Sequence, residues 1–179
     1  MDLIKSSSEE IEPNPIIIEA LNYINENRMF KDKIAKVLDI GAGDGTDSIF
    51  LAKNGFNVTA IDSSSYYIYK INQLAKIHNI KIKSIKSDAI TSLFKNYDII
   101  ACNNILHLLK SKEAIELIKK MKIYTSVEGM NIVSSYINND SPLNNLESFY
   151  TNWKIIHLNK SFHKVKKNKI LLEFIALKI

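Results

Sequence analysis

The sequence predicts an α/β fold: a doubly wound, three-layer sheet of seven mostly parallel strands that ends in an antiparallel carboxyl-terminal hairpin. Strand-like and helical runs alternate from residue 16 to residue 136, an order that demands parallel strands and right-handed crossovers. The apolar run Val37-Leu38-Asp39-Ile40 enters a glycine-rich turn, Gly41-Ala42-Gly43-Asp44-Gly45, and leaves it as a helix. After residue 150 the alternation stops, and two strand-like runs follow one another across a short basic turn. With 179 residues and 46% hydrophobic content, the chain is expected to bury a single core and form one domain over residues 1–179. Residues 1–14 are polar and are expected to be a mobile leading segment.

The elements follow from periodicity. Ile17, Ala20, Leu21 and Ile24 recur at helical spacing and predict a helix over 16–27. The first strand covers 35–40. A helix over 46–54 stops at Gly55, a residue suited to a left-handed terminus, and a second strand spans 57–61. A helix over 64–79, a strand over 80–87 and a strand over 97–102 come next. Ala114, Ile115, Leu117, Ile118 and Met121 form the stripe of a helix over 111–124, ahead of a fifth strand over 129–136. A short helix near 143–150 and strands near 153–158 and 170–177 complete the chain. The stretch His163 to Lys169 reads as a solvated hairpin turn, with an anion-contacting patch as the alternative.

The loop spacing separates two kinds of nucleotide ligand. A dinucleotide site uses Gly-x-Gly-x-x-Gly, whereas this loop runs Gly-x-Gly-x-Gly and has Thr46 at the third dinucleotide position. Asp39 and Asp44 flank the loop, where they would repel a pyrophosphate and suit a cationic sulfonium and ammonium. The loop therefore favours S-adenosylmethionine, with S-adenosylhomocysteine as product. Asp62 ends the second strand roughly twenty residues beyond the loop, where a nucleotide-binding fold places the acid that accepts from ribose hydroxyls. Asp62 or the Ser63 to Ser65 cluster could equally cap the next helix, and the two roles can coexist. Asp88, at the carboxyl end of the third strand, is either a ligand contact or the cap of a short helix at 89–94.

These elements resemble a class I, Rossmann-like S-adenosylmethionine-dependent methyltransferase over about residues 15–179. The stretches 44–52 and 55–62, Asn96-Tyr97-Asp98, residues 121–131, and Leu146 to Tyr150 with Trp153 are similar to the tellurite-resistance, TehB-like methyltransferases. The resemblance implies that Gly41, Ala42, Gly43 and Gly45 line the methionine part of the cofactor and that Asp39 orders the loop and the ligand's amino group. It implies further that Asp62, with Ser63, holds the ribose. Asp88 and the Ala89 backbone would meet the adenine, and Cys102, Asn103 and Asn104 would pass beside the methionine chain. The Asp/Asn-Pro-Pro-aromatic motif of nucleic-acid amino-methylating enzymes does not follow the fourth strand, which leads instead into Cys102-Asn103-Asn104-Ile105.

Methyl transfer from a sulfonium relies on proximity and in-line alignment, and a dedicated base is needed only if the acceptor arrives protonated. His107, just past the fourth strand, is the candidate for that base, against the reading of a packed histidine among Leu106, Leu108 and Leu109. Asn103 and Asn104 could orient a ligand or cap a turn. Cys102 reads as a small buried strand residue. Tyr136 and Tyr150 are candidates, with His107, for the wall of an acceptor pocket. Core packing is the competing role for both tyrosines. The histidines show no metal-ligand spacing, so no metal is expected.

The expected function is methyl transfer to a small-molecule acceptor, including soft or anionic ones such as a thiol, a selenol or a metalloid oxyanion. Two alternatives stand beside it: an RNA or protein methyltransferase, and a non-catalytic S-adenosylmethionine-binding partner subunit. The net charge of +5 comes almost entirely from lysine, with Arg28 the sole arginine, which argues against a nucleic-acid partner. No run reaches membrane-spanning length, and the lone Cys102 excludes an internal disulfide. A cytoplasmic protein, monomeric or homodimeric, is the expectation.

Overall fold

The computed structural model describes residues 12–162 and 169–179. In chain order the elements are α1 (Pro15–Glu26), β1 (Lys36–Ile40), α2 (Thr46–Lys53), β2 (Asn57–Asp62), α3 (Ser65–Ile77), β3 (Ile82–Lys86) and β4 (Tyr97–Asn103). They continue with α4 (Ser111–Tyr124), β5 (Thr125–Ile137), a kinked 3₁₀ segment (Pro142–Tyr150), β6 (Trp153–Phe162) and β7 (Ile170–Lys178). The seven strands form one sheet in the order β3-β2-β1-β4-β5-β7-β6. β1 pairs in parallel with β2 and β4, and β7 runs antiparallel to both β5 and β6. The order reverses at β1, so the ends of β1 and β4 frame the crevice where doubly wound sheets take ligands.

Strand alternation sends successive side chains to opposite faces, and each face has its own core. Leu38, Ile40, Ile100 and Cys102 meet Leu117, Ile118 and Met121 of α4 on one face. Val37, Ile99, Ala101 and Ile132 meet Ile16, Ile17, Ala20 and Ile24 of α1 on the other. The expected helices and strands are present, with two differences that bear on the site. β5 begins at Thr125, directly after α4, with Glu128 at φ 60° and a register shift opposite Tyr97 and Ile99. Gly129 allows this bulge, because a Cβ there would lie 2.5 Å from the Asp98 carbonyl oxygen. Residues 89–94, a short helix in one of the two readings of Asp88, form a turn and an irregular stretch instead. The Lys120 ammonium holds that stretch by donating to the carbonyls of Ala89, Ile90 and Ser92. The expected mobility of residues 1–14 falls largely outside the described residues, as does most of the expected basic turn.

Asp98 ties the opposite end of the sheet, accepting from Lys33 Nζ at 2.7 Å and from the Lys36 backbone N–H at 2.9 Å. Tyr150, expected in an acceptor pocket, is 2% exposed and belongs to the core. Its hydroxyl donates to Asn131 Oδ1 at 3.0 Å, and its ring stands edge-on to Trp153 with centroids 5.2 Å apart. Asn131 in turn donates to Thr125 Oγ1 at 2.6 Å, so the tyrosine completes a buried polar chain across the start of β5. Tyr150→Phe leaves that carboxamide oxygen buried without its donor and should lower the stability measured by urea unfolding by about 1–3 kcal/mol.

Candidate functional site

The site is built where β1 gives way to α2. Gly41, Gly43 and Gly45 have φ of 67°, 53° and 87°, conformations that side chains disfavour. Their surroundings differ. A Cβ on Gly41 would lie 2.1 Å from Ile105 Cδ1, and one on Gly45 would lie 2.6 Å from Ile71 Cγ1. A Cβ on Gly43 would meet nothing closer than the Gly41 carbonyl oxygen at 3.9 Å. Gly45 therefore lets α2 approach α3, Gly41 receives the loop that follows β4, and Gly43 presents open backbone.

The loop's amides are turned inward. Gly41 and Ala42 both donate to the Ile61 carbonyl, at 2.8 and 3.0 Å, and Gly45 donates to Ala42 at 2.9 Å. The Gly43 N–H donates to Asp62 Oδ2 at 2.9 Å, and the Thr46 N–H donates to Asp44 Oδ1 at 3.3 Å. A phosphate site needs such N–H groups aimed outward at the anion. Here five of them already have protein acceptors, which argues against a pyrophosphate ligand.

Carboxylates gather at the same place. Asp39 is 2% exposed and accepts from Ser48 Oγ at 2.5 Å. Burial, and after it the charge of Asp47, pushes its carboxyl up to about 7, with Asp62 and Asp44 acting in the same direction. Asp47, which sequence reasoning passed over, accepts from the Asn14 backbone N–H at 2.7 Å and from Asn103 Nδ2 at 2.9 Å. Its carboxyl is also raised, chiefly by burial. Asp62 ends β2 and accepts from the Gly43 and Ser64 amides, so it clamps the loop and caps the turn into α3 at once. Asp44, expected beside Asp39, is exposed and has Lys70 Nζ at 3.6 Å as a counter-ion. Among the described residues no ion pair reaches Asp39, Asp47 or Asp62, and their hydrogen-bond donors are all uncharged.

The remaining expected residues divide. Ser63 is exposed in the turn between Asp62 and α3. Asp88 caps the turn after β3, accepting from the Ile90 and Thr91 amides at 2.9 and 3.0 Å, and these bonds hold its carboxyl below the ordinary value. The partly buried Ala89 follows it. Cys102 is fully buried in β4, and burial pushes its thiol up, which keeps it neutral. Asn103 is a strut: its Nδ2 reaches Asp47 and its Oδ1 accepts from the Ser134 N–H at 3.0 Å. Asn104 takes φ 59° and turns the chain so that Ile105 packs on Gly41.

His107 lies in a 3₁₀ turn, Leu106–Leu108, directly beyond that loop. Its Nδ1 is 3.4 Å from Ser135 Oγ, and its ring stands at 81° to Tyr136 with centroids 5.1 Å apart. Both rings face a cavity of about 360 Å³ whose apolar side includes Leu106, Leu109, Ala114 and Leu143. His107 and Tyr136 are thus brought together, and Tyr150 stays apart from them. Asp47, Ile105 and Ser135 were the residues missed. Asp47 had a visible signal, an acid in the first turn of the helix that follows the glycines. Among the described residues no cluster has the makeup of a metal site, and no helix is long and apolar enough to cross a membrane.

The chain is similar to known proteins. The family profile described as "Tellurite resistance protein TehB" matches residues 29–178. A probable S-adenosyl-L-methionine-dependent methyltransferase TehB of Haemophilus influenzae is 27% identical over 159 residues, covering 79% of this chain and 56% of the relative. The chain thus spans little more than half the length of that relative. The crystal structure of TehB from Haemophilus influenzae superposes with a TM-score of 0.81 at 24% identity, over 96% of this chain and 64% of the other. Magnesium protoporphyrin IX methyltransferase from Synechocystis PCC 6803, solved with bound S-adenosylmethionine, gives a TM-score of 0.74 at 16% identity, over 92% and 79% of the two chains.

Asp39 supplies a test of the electrostatics. Its folded-state pKa lies above the ordinary 3.8, so the folded protein holds this proton longer than the unfolded chain, and stability falls as pH rises through the interval from about 4 to about 7. Asp39→Asn should flatten that slope and unfold at higher denaturant than the parent at pH 8, as read by urea melts across the pH range.

Proposed function

The chain belongs to the TehB tellurite-resistance family, and from that premise we propose that it binds S-adenosylmethionine at the β1–α2 loop and transfers the methyl group to a small-molecule acceptor. One observation carries the proposal: carboxylates gathered, among the described residues, without a paired cation, around a loop whose amides are already spent. Charges left in that state repel one another in a poorly solvated place, and a cationic ligand removes the penalty. A sulfonium and an ammonium carried on one molecule suit the arrangement, and open backbone at Gly43 gives it room to approach.

The residues divide the work by position. Asp39 and Asp47 supply negative charge for the amino end of the methionine moiety. Asp62 uses each carboxylate oxygen once for a backbone amide, and a carboxylate can accept about four hydrogen bonds, so it retains capacity for ribose hydroxyls. Asp88, Ala89 and Ser63 lie at the carboxyl ends of β2 and β3, where the adenine end would rest. When bound, the cofactor supplies an activated methyl on a sulfonium leaving group, so the protein's part is alignment and exclusion of water. Asn103 and Ile105 serve alignment by fixing the loop after β4 against Asp47 and Gly41. A thiolate, selenolate or oxyanion acceptor requires no proton removal, and a hydroxyl acceptor would draw on His107.

Isothermal titration should show S-adenosylmethionine binding with no measurable affinity for NAD. Asp62→Ala should weaken that binding tenfold or more, because it removes the ribose acceptor and releases the Gly43 amide together. Absence of S-adenosylmethionine binding by the unaltered protein would reject the proposal.

A further inference from the structure

The cavity beside His107 is larger than a small inorganic acceptor needs. Its volume is about 360 Å³, and an oxyanion of a few heavy atoms would occupy only a small part of it. Pockets of about 300 Å³ and upward are the size that encloses organic ligands. The lining is also two-sided. Leu106, Leu109, Ala114 and Leu143 offer an apolar floor that suits the body of an organic molecule. His107, Tyr136, Asn138, Asp140 and Ser141 form the polar side together with Lys169, whose Nζ stands 5.7 Å from the Tyr136 ring centroid.

Position links this cavity to the glycine loop. Ile105 packs on Gly41, and the next two residues, Leu106 and His107, line the cavity. A single short turn therefore has the cofactor loop on one side and the cavity on the other. Ser135 and Tyr136, on β5, brace the His107 ring through the 3.4 Å approach to Nδ1 and the edge-on contact. An imidazole fixed by its surroundings at the mouth of an amphipathic cavity suits a nucleophile that arrives with a proton.

We propose that this cavity is the acceptor site and that the acceptor is a ring-sized organic molecule with an apolar body and a hydroxyl nucleophile. The inference rests on the proposed S-adenosylmethionine reading. In the transfer the hydroxyl oxygen forms the new bond to carbon, and the carbon–sulfur bond breaks with its electron pair staying on sulfur. The sulfonium thereby becomes a neutral thioether. The hydroxyl proton passes to the His107 imidazole and from there to water.

The experiment incubates the protein with methyl-labelled S-adenosylmethionine and, separately, with catechol, 4-hydroxybenzoate, 2-naphthol, selenite and tellurite. Ser111→Phe, which fills the exposed rim of the cavity, His107→Asn and the parent are compared, with S-adenosylmethionine affinity measured on each as the control. The expected result is methyl transfer to at least one aromatic hydroxyl, cut fivefold or more by Ser111→Phe while cofactor affinity changes less than twofold. His107→Asn should lower kcat with KM little changed and flatten the rise of the rate with pH. Transfer to selenite or tellurite with none to the aromatic hydroxyls would overturn the acceptor class and leave the cofactor reading standing. Cofactor binding with neither transfer to the aromatic hydroxyls nor saturation-transfer NMR signal from them would overturn it as well. Failure of the parent to bind S-adenosylmethionine would instead remove the reading on which the inference rests.

Discussion

Negative charge that lacks a cation is the constraint around which the carboxyl end of this sheet is organised. Asp39, Asp47 and Asp62 come from β1, α2 and β2, and among the described residues each is held by uncharged donors alone. A fold built for stability would have placed a lysine among them, as it does for Asp98 at the opposite end of the strands. The 24 basic residues of the chain were available for such pairing. Burying carboxylates unpaired is unfavourable, and the raised Asp39 and Asp47 carboxyls report that cost. The arrangement persists because the hydrogen-bond frame over-determines it. Ser48 holds Asp39, Asn103 and Asn14 hold Asp47, and the turn amides hold Asp62.

The same frame connects the two halves of the site. Asn103 reaches from the end of β4 to Asp47 and accepts from Ser134 on β5, and Asn14 Nδ2 meets Ser134 Oγ at 2.9 Å. The first helix, the glycine loop, β4 and β5 are therefore linked through side chains at one end of the sheet. Beyond Asn104 the chain turns over Gly41 and delivers His107 to the cavity. The contacts that set the loop's shape also set where an acceptor would meet the cofactor.

Much of this was legible in the sequence. Strand and helix order follow from apolar periodicity because parallel strands are buried on both faces and helices on one. Asp62 could be placed because its distance from the glycines is fixed by one crossover. The parts that were hidden depend on contacts between segments distant in the chain. Gly45 reads as a ligand glycine, and what the sequence does not show is that its missing Cβ also makes room for Ile71 of α3. Asp44 does share the loop's charge, but it is exposed with Lys70 beside it, and Asp47 acts on Asp39 more strongly. Tyr150 carried the same aromatic signal as Tyr136, and only the packing of Trp153 and Phe174 against it distinguishes core from cavity wall. Asn103 reads as a cap or a ligand contact, and its further role as a strut to Asp47 and Ser134 depends on the pairing of β4 with β5.

The most direct test of the charge argument is the titration of the Asp39 side-chain carboxyl, followed by carbon-13 NMR with and without ligand. In the ligand-free protein it should titrate near neutrality. With S-adenosylmethionine bound it should stay ionised to clearly lower pH, and S-adenosylhomocysteine, which has no sulfonium charge, should shift it less. An Asp39 titration unchanged by S-adenosylmethionine that is demonstrably bound would contradict the claim that this site is assembled to receive a cation.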